Sequence, residues 1–504
     1  MGDLPLSTII EATLRTLALG ASVALIAGLF GISMAWLVTR TQLSGRKHLA
    51  SLLSIPYALP PFLLGMAWVV LGNPTVGLLK DVLPQSGSYG FWGMTFVLAS
   101  VCFAFPYLEL KAGFEKMDPA LEEAGKMSGA SPFYVFRTIS FPLLFPALLN
   151  GMCLSFLYAI AAFGVPALLG LPVRKFVLTT LIYSQFRVGG MEGLSEGLKL
   201  SVILLVIAII LLILSGWLTR IQNKRGGALA GAKSSRPSLV SLGKWKHLAT
   251  FFAWGFFTVT VILPWIALAL SALAPIAGKF SPSLWTLKNL AYVLTLDDFK
   301  EGLFNSLILA FSVATTVVTG GFLLAFSSVR RKKRWATWVI ETLGLPFSTP
   351  GTVIAIILIF ASAWLTRMGL PFDSPLLLMA IAYGLKFSAV AARSICTAYR
   401  QVHPALEEAA RVSGAKTWTL LKTIWFPLLK KNLFAAWLLA LLPMFTELTM
   451  SILLTGPGGA TLGTVLFQLQ EYADQPSAAA LAWMLLTIAL FIGLMTRKKS
   501  EETT

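Results

Sequence analysis

Long, nearly charge-free blocks of Leu, Ile, Val, Phe and Ala alternate along this chain with short segments rich in Lys, Arg, Gly and Pro. Each block approaches the roughly 20 apolar residues that a helix needs to cross the hydrocarbon core of a bilayer. About eleven blocks meet that length. They are 14–38, 51–71, 91–110, 143–169 and 199–218, then 248–274, 303–329, 336–365, 375–395, 432–455 and 478–496. The pattern predicts an all-α integral membrane protein. The first block is too long for the core of a signal peptide and has no basic segment before it. Its basic flank, Arg40, Arg46 and Lys47, follows it.

Composition agrees with the pattern. The 504 residues are 56% hydrophobic and 12% charged, with a mean hydropathy of +0.78. That leaves too little polar surface for a soluble chain of this length. The net charge of +18 would suggest nucleic acid in a soluble protein. Between membrane spans it reads instead as Lys and Arg retained on the cytoplasmic side, so membrane lipid is the expected neighbour and nucleic acid is not.

The alternation of loops tests this. With the N-terminus outside, segments 39–50, 111–141, 220–247, 330–335, 397–431 and the tail from Arg497 fall inside. They hold Arg330-Arg331-Lys332-Lys333-Arg334 and Arg497-Lys498-Lys499. The outer segments 72–90, 275–302 and 456–477 are short of uncompensated Lys and Arg. The expected location is a bacterial cytoplasmic membrane, multi-pass, with the C-terminus in the cytoplasm. The Arg330–Arg334 run reads as a membrane anchor. Cys102, Cys153 and Cys396 are scattered through apolar blocks, and the three histidines lie in basic segments. Neither set has the spacing of a disulfide framework or a zinc centre, so no metal site is expected.

The chain repeats itself. Pro119-Ala120-Leu121-Glu122-Glu123-Ala124, Ser128-Gly129-Ala130, Thr138-Ile139 and Phe141-Pro142-Leu143-Leu144 recur as Pro404-Ala405-Leu406-Glu407-Glu408-Ala409, Ser413-Gly414-Ala415, Thr423-Ile424 and Phe426-Pro427-Leu428-Leu429, always 285 positions apart. Upstream, Ser22, Gly31, Pro56 and Pro60 answer Ser312, Gly321, Pro346 and Pro350. Downstream, Leu178 and Thr180 answer Leu462 and Thr464. The organisation is a first five-helix repeat over 1–219, a basic linker over 220–247 without a single acid, and an extra helix plus the second repeat over 248–504. Because five is odd, the extra helix keeps the two repeats parallel, unlike the inverted repeats of many secondary transporters. Both repeated loops then face the cytoplasm, and a two-fold partner below the membrane is expected.

Each loop is built as a helix, a turn and a helix. Pro119 and Pro404 suit the start of a short helix, and the acids that follow suit its N-terminal end. Gly129 and Gly414 suit the left-handed residue that stops it. A second short helix is expected over 133–141 and 418–426, with Pro142 and Pro427 breaking the chain as it re-enters the membrane. The small side chains Ala124, Gly125, Ala409 and Ala410 allow close approach by another protein.

At these residues the chain resembles the integral membrane permeases of ATP-binding-cassette importers. Their signature is Glu-Ala-Ala-x-x-x-Gly, nine residues, then Ile-x-Leu-Pro. Here it reads Glu123-Ala124-Gly125 to Gly129 and Ile139-x-Phe141-Pro142, then Glu408-Ala409-Ala410 to Gly414 and Ile424-x-Phe426-Pro427. The departures are Gly125 for Ala and Phe for Leu before each Pro. The resemblance covers nearly the whole chain. It implies the MetI-like permease fold, with each loop docking as a coupling helix on the ATPase. Glu122, Glu123, Ala124, Gly125, Gly129, Glu407, Glu408, Ala409, Ala410 and Gly414 would be the coupling residues.

Within that family the chain is most similar to fused, two-copy iron(III)-type permeases. The features are Ile55-Pro56…Pro60-Pro61 with Gly72-Asn73-Pro74, Phe163 to Gly170, and Thr446-Glu447-Leu448 before Ile452-Leu453-Leu454. Fused thiamine and aminoethylphosphonate permeases look similar, and a polyamine is a further alternative cargo. The resemblance implies a cytoplasmic ATP-binding-cassette ATPase dimer and a substrate-binding protein outside the membrane. The chain has no Gly-x-x-x-x-Gly-Lys-Ser/Thr stretch, so no phosphate-cradling loop of that kind. It is expected to be a transport subunit rather than an enzyme, without catalytic residues or a cofactor of its own, ATP and Mg being held by the partner. The rival of another class, a secondary transporter, leaves the duplicated loop without a purpose.

Inside the membrane, Pro56, Pro60, Pro346 and Pro350 interrupt corresponding spans. They are either gate elements of the substrate path or structural kinks. Glu447 lies in a Thr-Glu-Leu-Thr setting within its span. It is a cation ligand in the path, a partner for a helix, or a carboxylate near enough to the outer surface to stay hydrated. Lys386 raises the same question, whereas Glu109 and Glu341 lie nearer span ends.

Overall fold

Helix forms through most of each apolar block, because a bilayer offers the backbone no competing hydrogen-bond partner. The computed structural model describes residues 4–84, 86–229, 239–472 and 474–501. Among the described residues, eight helices are long and apolar enough to cross a membrane: Leu6–Arg40, Phe91–Lys116, Pro132–Ala161, Glu192–Ile221, Gly243–Leu273, Asp297–Arg330, Pro375–Gln401 and Thr417–Phe445. Two further apolar helix pairs are sharply bent, Arg46–Tyr57 with Pro61–Gly72 at 98° and Arg334–Phe347 with Gly351–Arg367 at 103°, each a broken span or a re-entrant loop. Gln475–Phe491 is a shorter apolar helix. The eleven expected blocks thus each have a helical counterpart, in an all-α membrane fold. Outward-facing Val202, Val206, Ile209, Ile213 and Trp217 on Glu192–Ile221 leave an apolar exterior of the kind that lipid solvates.

Two local expectations change. The helices expected over 143–169 and 432–455 end at Ala161 and Phe445, and short helices Gly164–Leu169 and Ser451–Leu454 follow each break. Pro142 and Pro427 do not break the chain, since the membrane helices start upstream at Pro132 and Thr417 and run through them. A wide π-turn lies just before each proline: the Phe141 N–H reaches the Phe136 carbonyl, and the Phe426 N–H reaches that of Leu421. That turn absorbs the missing N–H and the ring clash that would otherwise kink a helix. Part of the expected linker, residues 230–238, lies outside the described residues, as do the side chains of 222–229 and those of the tail from Arg497.

Two compact units result. The first comprises Met1–Val293 and Leu469–Thr504, and the second Leu294–Gln468. In the first, Leu6–Arg40 packs on Ala104–Lys116 and on Phe141–Ala161, while the linking helix packs on Pro61–Gly72 and on the final helix. The compact units and the sequence repeats therefore divide the chain differently at 248–293 and at 469–504. In the second, Asp297–Ala325 packs on Pro375–Gln401 and on Phe426–Phe445, the same three-helix arrangement. One glycine at corresponding positions of each unit permits a close helix crossing. A Cβ on Gly31 would lie 3.0 Å from the Tyr107 backbone nitrogen, and one on its counterpart Gly321 would lie 3.3 Å from that of Ala392. Close backbone approach of this kind drives helix association in lipid.

Candidate functional site

The two repeated loops fold alike. The first loop helix, Pro119–Met127, starts at Asp118, whose carboxylate accepts the Ala120 N–H at 2.9 Å. The second spans Ala405–Val412. Each ends at a glycine of positive φ, +80° at Gly129 and +82° at Gly414. The next residue then bonds back to the helix, Ala130 N–H to the Gly125 carbonyl and Ala415 N–H to that of Ala410. This is the glycine-terminated end that leaves no Cβ in the left-handed position. Gly125 has a local reason, because a Cβ there would meet Val135 at 3.0 Å and Ile139 at 3.1 Å.

The loops also share an exposed apolar tip. Met127 and Val412 are each 90% exposed, and Leu121, Phe133, Leu406 and Trp418 stand out of the surface beside them. Ala124, Ala409 and Glu408 are exposed too, with Glu123 and Ala410 half-buried. Apolar patches of this kind, rimmed by polar residues, mark protein contact sites.

Glu122 and Glu407 differ. Glu122 is buried at 7% exposure. Its Oε2 pairs with Arg40 Nε at 2.9 Å, and its Oε1 accepts the Ser140 hydroxyl at 2.7 Å. Arg40 also donates to the Phe114 carbonyl at 2.9 Å and lies over the Phe114 ring. Glu407 instead pairs with Arg411, one turn along its own helix, at 2.7 Å. The counterpart of Arg40 is Arg330, which donates to the carbonyls of Tyr399 and Val402 and stacks 4.4 Å from the centre of the Trp425 ring. Trp425 stands where the first repeat has Ser140. Arg330 is therefore more than a membrane anchor, because its guanidinium turns back into the protein. The sequence signal was present: Arg40 and Arg330 keep the register of Gly31 with Gly321.

The membrane breaks diverge further. Pro56 lies in the short turn Ile55–Ala58 and Pro60 directly precedes the helix Pro61–Gly72. Pro346 lies in Gly344–Ser348 and Pro350 precedes Gly351–Arg367. In the second repeat this break meets the Glu447 segment. A Cβ on Gly351 would lie 3.0 Å from Met450, 3.2 Å from Thr449 and 3.2 Å from Lys386 Nζ. The Glu447 carboxylate is committed locally, accepting the Met450 N–H at 2.9 Å and both the Ser451 N–H and its hydroxyl at 3.1 Å. Ser451 also hydrogen-bonds the Tyr383 hydroxyl at 2.6 Å. In the first repeat Phe163 takes the place of Glu447, and Gly164 abuts Phe62 instead.

A further pair was not anticipated. Arg187 on Leu178–Val188 pairs with Glu471 at the end of Leu462–Glu471, two positions that correspond in the repeat register. The hydrogen bond that Arg187 donates to the Glu471 carboxylate, and then the nearby Tyr183, raise the Arg187 pKa.

Duplicated helix-turn-helix elbows, one on each helical bundle, agree with a class: the membrane-spanning subunits of ATP-driven importers. The chain belongs to the family described as binding-protein-dependent transport system inner membrane component, whose model matches residues 13–226 and again residues 317–497. Among curated relatives, the Fe(3+)-transport system permease protein of Haemophilus influenzae is 24% identical over 475 residues, covering 92% of this chain and 84% of that one. The molybdenum transport system permease protein of Escherichia coli is 30% identical over 229 residues. That match spans 96% of the relative and 43% of this chain, as expected when a one-unit relative meets a two-unit chain. A probable sulfate transport system permease protein of Chlorella vulgaris is 30% identical, covering 41% of this chain and 77% of the relative. A crystal structure of a bacterial ABC transporter involved in alginate import aligns with TM-score 0.41 at 18% identity, over 52% of this chain and 95% of that chain.

Proposed function

We propose that this chain supplies both membrane halves of an importer for iron(III), driven by a separate pair of ATP-binding-cassette subunits. The observation that carries the coupling is the pair of loops repeated in sequence and alike in fold, each presenting an exposed apolar tip. The partner ATPases hold ATP and Mg. When ATP closes their dimer, the two coupling helices are drawn together and the path between the halves opens outward to a loaded substrate-binding protein. The charge distribution supports a cytoplasmic-membrane location with the N-terminus outside and both loops inside.

Iron(III) is favoured over thiamine, aminoethylphosphonate, a polyamine or an oxyanion because the iron permease of Haemophilus influenzae matches along 92% of this chain. The test is reconstitution of the chain with its ATPase in liposomes. Iron(III) with its binding protein is expected to stimulate ATP hydrolysis several-fold, and molybdate or sulfate to leave it at the resting rate. Stimulation by another cargo alone would replace the iron assignment. A chain that retains no ATPase would remove the importer reading altogether and bring back the secondary transporter.

A further inference from the structure

We propose that the Arg40–Glu122 pair is a strut carrying movement of the first coupling helix into the membrane helix Leu6–Arg40. The second loop, lacking that strut, is the more compliant of the two. The proposal rests on the importer reading above.

Coupling needs a stiff connection between the surface that a partner pushes and the helices that must move. In the first loop one guanidinium makes that connection. Arg40 closes the first membrane helix and touches Glu122 on the coupling helix at 2.9 Å. It also holds the Phe114 carbonyl near the end of the third span. Glu122 in turn holds Ser140, at the point where the loop becomes the next membrane helix. Four segments therefore meet at one buried ion pair, with side-chain exposures of 4% for Arg40 and 9% for Glu122. The returning linker is tied to the same place. The Val240 N–H donates to the Arg40 carbonyl at 2.9 Å, and the Gln42 N–H donates to the Val240 carbonyl at 3.1 Å.

In the second loop the same arginine grips only its own side of the junction. Arg330 holds the carbonyls of Tyr399 and Val402 and the Trp425 ring. Glu407 is occupied by Arg411 within the coupling helix. Among the described residues, no hydrogen bond or ion pair joins a side chain of Ala405–Val412 to another helix. A buried pair is costly to break once formed, because each charge left alone loses both water and partner. A pair within one helix whose arginine stays in water, Arg411 at 47% side-chain exposure against 13% for Glu407, adds only a few tenths of a kcal/mol. The strut is therefore rigid under load and the second helix can tilt.

Glu122 is a positioning residue. It faces inward, away from the surface offered to the ATPase, so its effect must pass through Arg40 and Ser140. The test uses the full chain with its ATPase and binding protein in liposomes, and reads iron(III) imported per ATP hydrolysed. Retention of the ATPase by the unaltered chain is read first, since failure there removes the importer reading rather than the strut. Glu122→Gln is expected to lower the ratio at least about fivefold, and Glu407→Gln less than about twofold. Arg40→Lys keeps the charge beside Glu122 and recovers part of the ratio. Equal falls for Glu122→Gln and Glu407→Gln, or an unchanged ratio in Glu122→Gln, would overturn the proposal. Should Glu122→Gln prevent assembly, Ser140→Ala removes one contact and no charge. A ratio unchanged there overturns the strut equally.

Discussion

Each repeat carries one arginine at the end of its first helix, and the two are used differently. Arg40 sits in a buried ion pair with the coupling helix, whereas Arg330 stacks on an indole and holds two carbonyls. The same divergence recurs inside the membrane. Glu447, Lys386, Tyr383 and Ser451 gather around one break, while Phe163, Phe62 and Gly164 fill the other with apolar contacts. Duplication preserved the backbone plan, namely the coupling helices, the glycine stops, the π-turns and the proline breaks. What changed is which contacts carry charge. The two repeats are alike in their hinges and unlike in their electrostatics.

The largest effect expected is at Arg40. Arg40→Ala leaves Glu122 buried without its cation, a loss of about 3–5 kcal/mol. Arg330→Ala removes hydrogen bonds and a stacking contact but orphans no buried carboxylate, so about 1–3 kcal/mol is expected. Thermal unfolding of the two purified variants in detergent checks the order. If Arg330→Ala is the more damaging, the two junctions are not divided as described.

Next comes the membrane interior. Glu447→Ala deletes the acceptor for two backbone N–H groups and the Ser451 hydroxyl and leaves Lys386 without its neighbouring opposite charge. A cost of about 1–3 kcal/mol is expected, together with slower import by an assembled complex. Phe163→Leu, at the corresponding place, trades one apolar side chain for another and is expected to cost under about 1.5 kcal/mol. Import rates and melting curves for the pair separate the two. Full transport in Glu447→Ala would take that residue out of the pathway.

The glycine stops test sameness rather than difference. Gly129→Ala and Gly414→Ala each place a Cβ in the left-handed region, at an expected cost of about 1 kcal/mol apiece. A Cβ built on either glycine meets no other atom within 4 Å, so conformation alone is tested. Unequal losses in local hydrogen exchange would show that the shared backbone plan is not shared energetically.

Much of this was legible beforehand. Apolar length located the spans, and the 285-residue repeat located both loops and their terminating glycines. Pro142 misled, because a proline signals a break unless the preceding turn is already wide, and a π-turn has no sequence mark of its own. Glu447 was visible as an intramembrane carboxylate, but its acceptor role was not, since it depends on one helix ending at Phe445 and another starting at Ser451. Arg40 was hidden for a different reason. A lone arginine at a cytoplasmic helix end looks like any other anchor. Only its burial, and Glu122 brought back from across 82 positions, separates it from Arg46.

The smallest effect is expected at Arg187 and Glu471, and it probes the comparison from the other side. Here the corresponding positions of the two repeats do not merely differ, they are opposite charges that meet. Both side chains are about half exposed, 56% and 42%, so water competes for each and salt screens what remains. Glu471→Gln is therefore expected to cost under about 1 kcal/mol at low ionic strength and nothing measurable at about 1 M salt. Melting the variant and the unaltered protein across a salt series reads this directly. A loss that persists at high salt would mean that the pair is shielded by neighbours such as Tyr183, over whose ring Arg187 lies. Charge asymmetry between the repeats would then contribute to stability at this pair as it does at Arg40, rather than only steering local contacts.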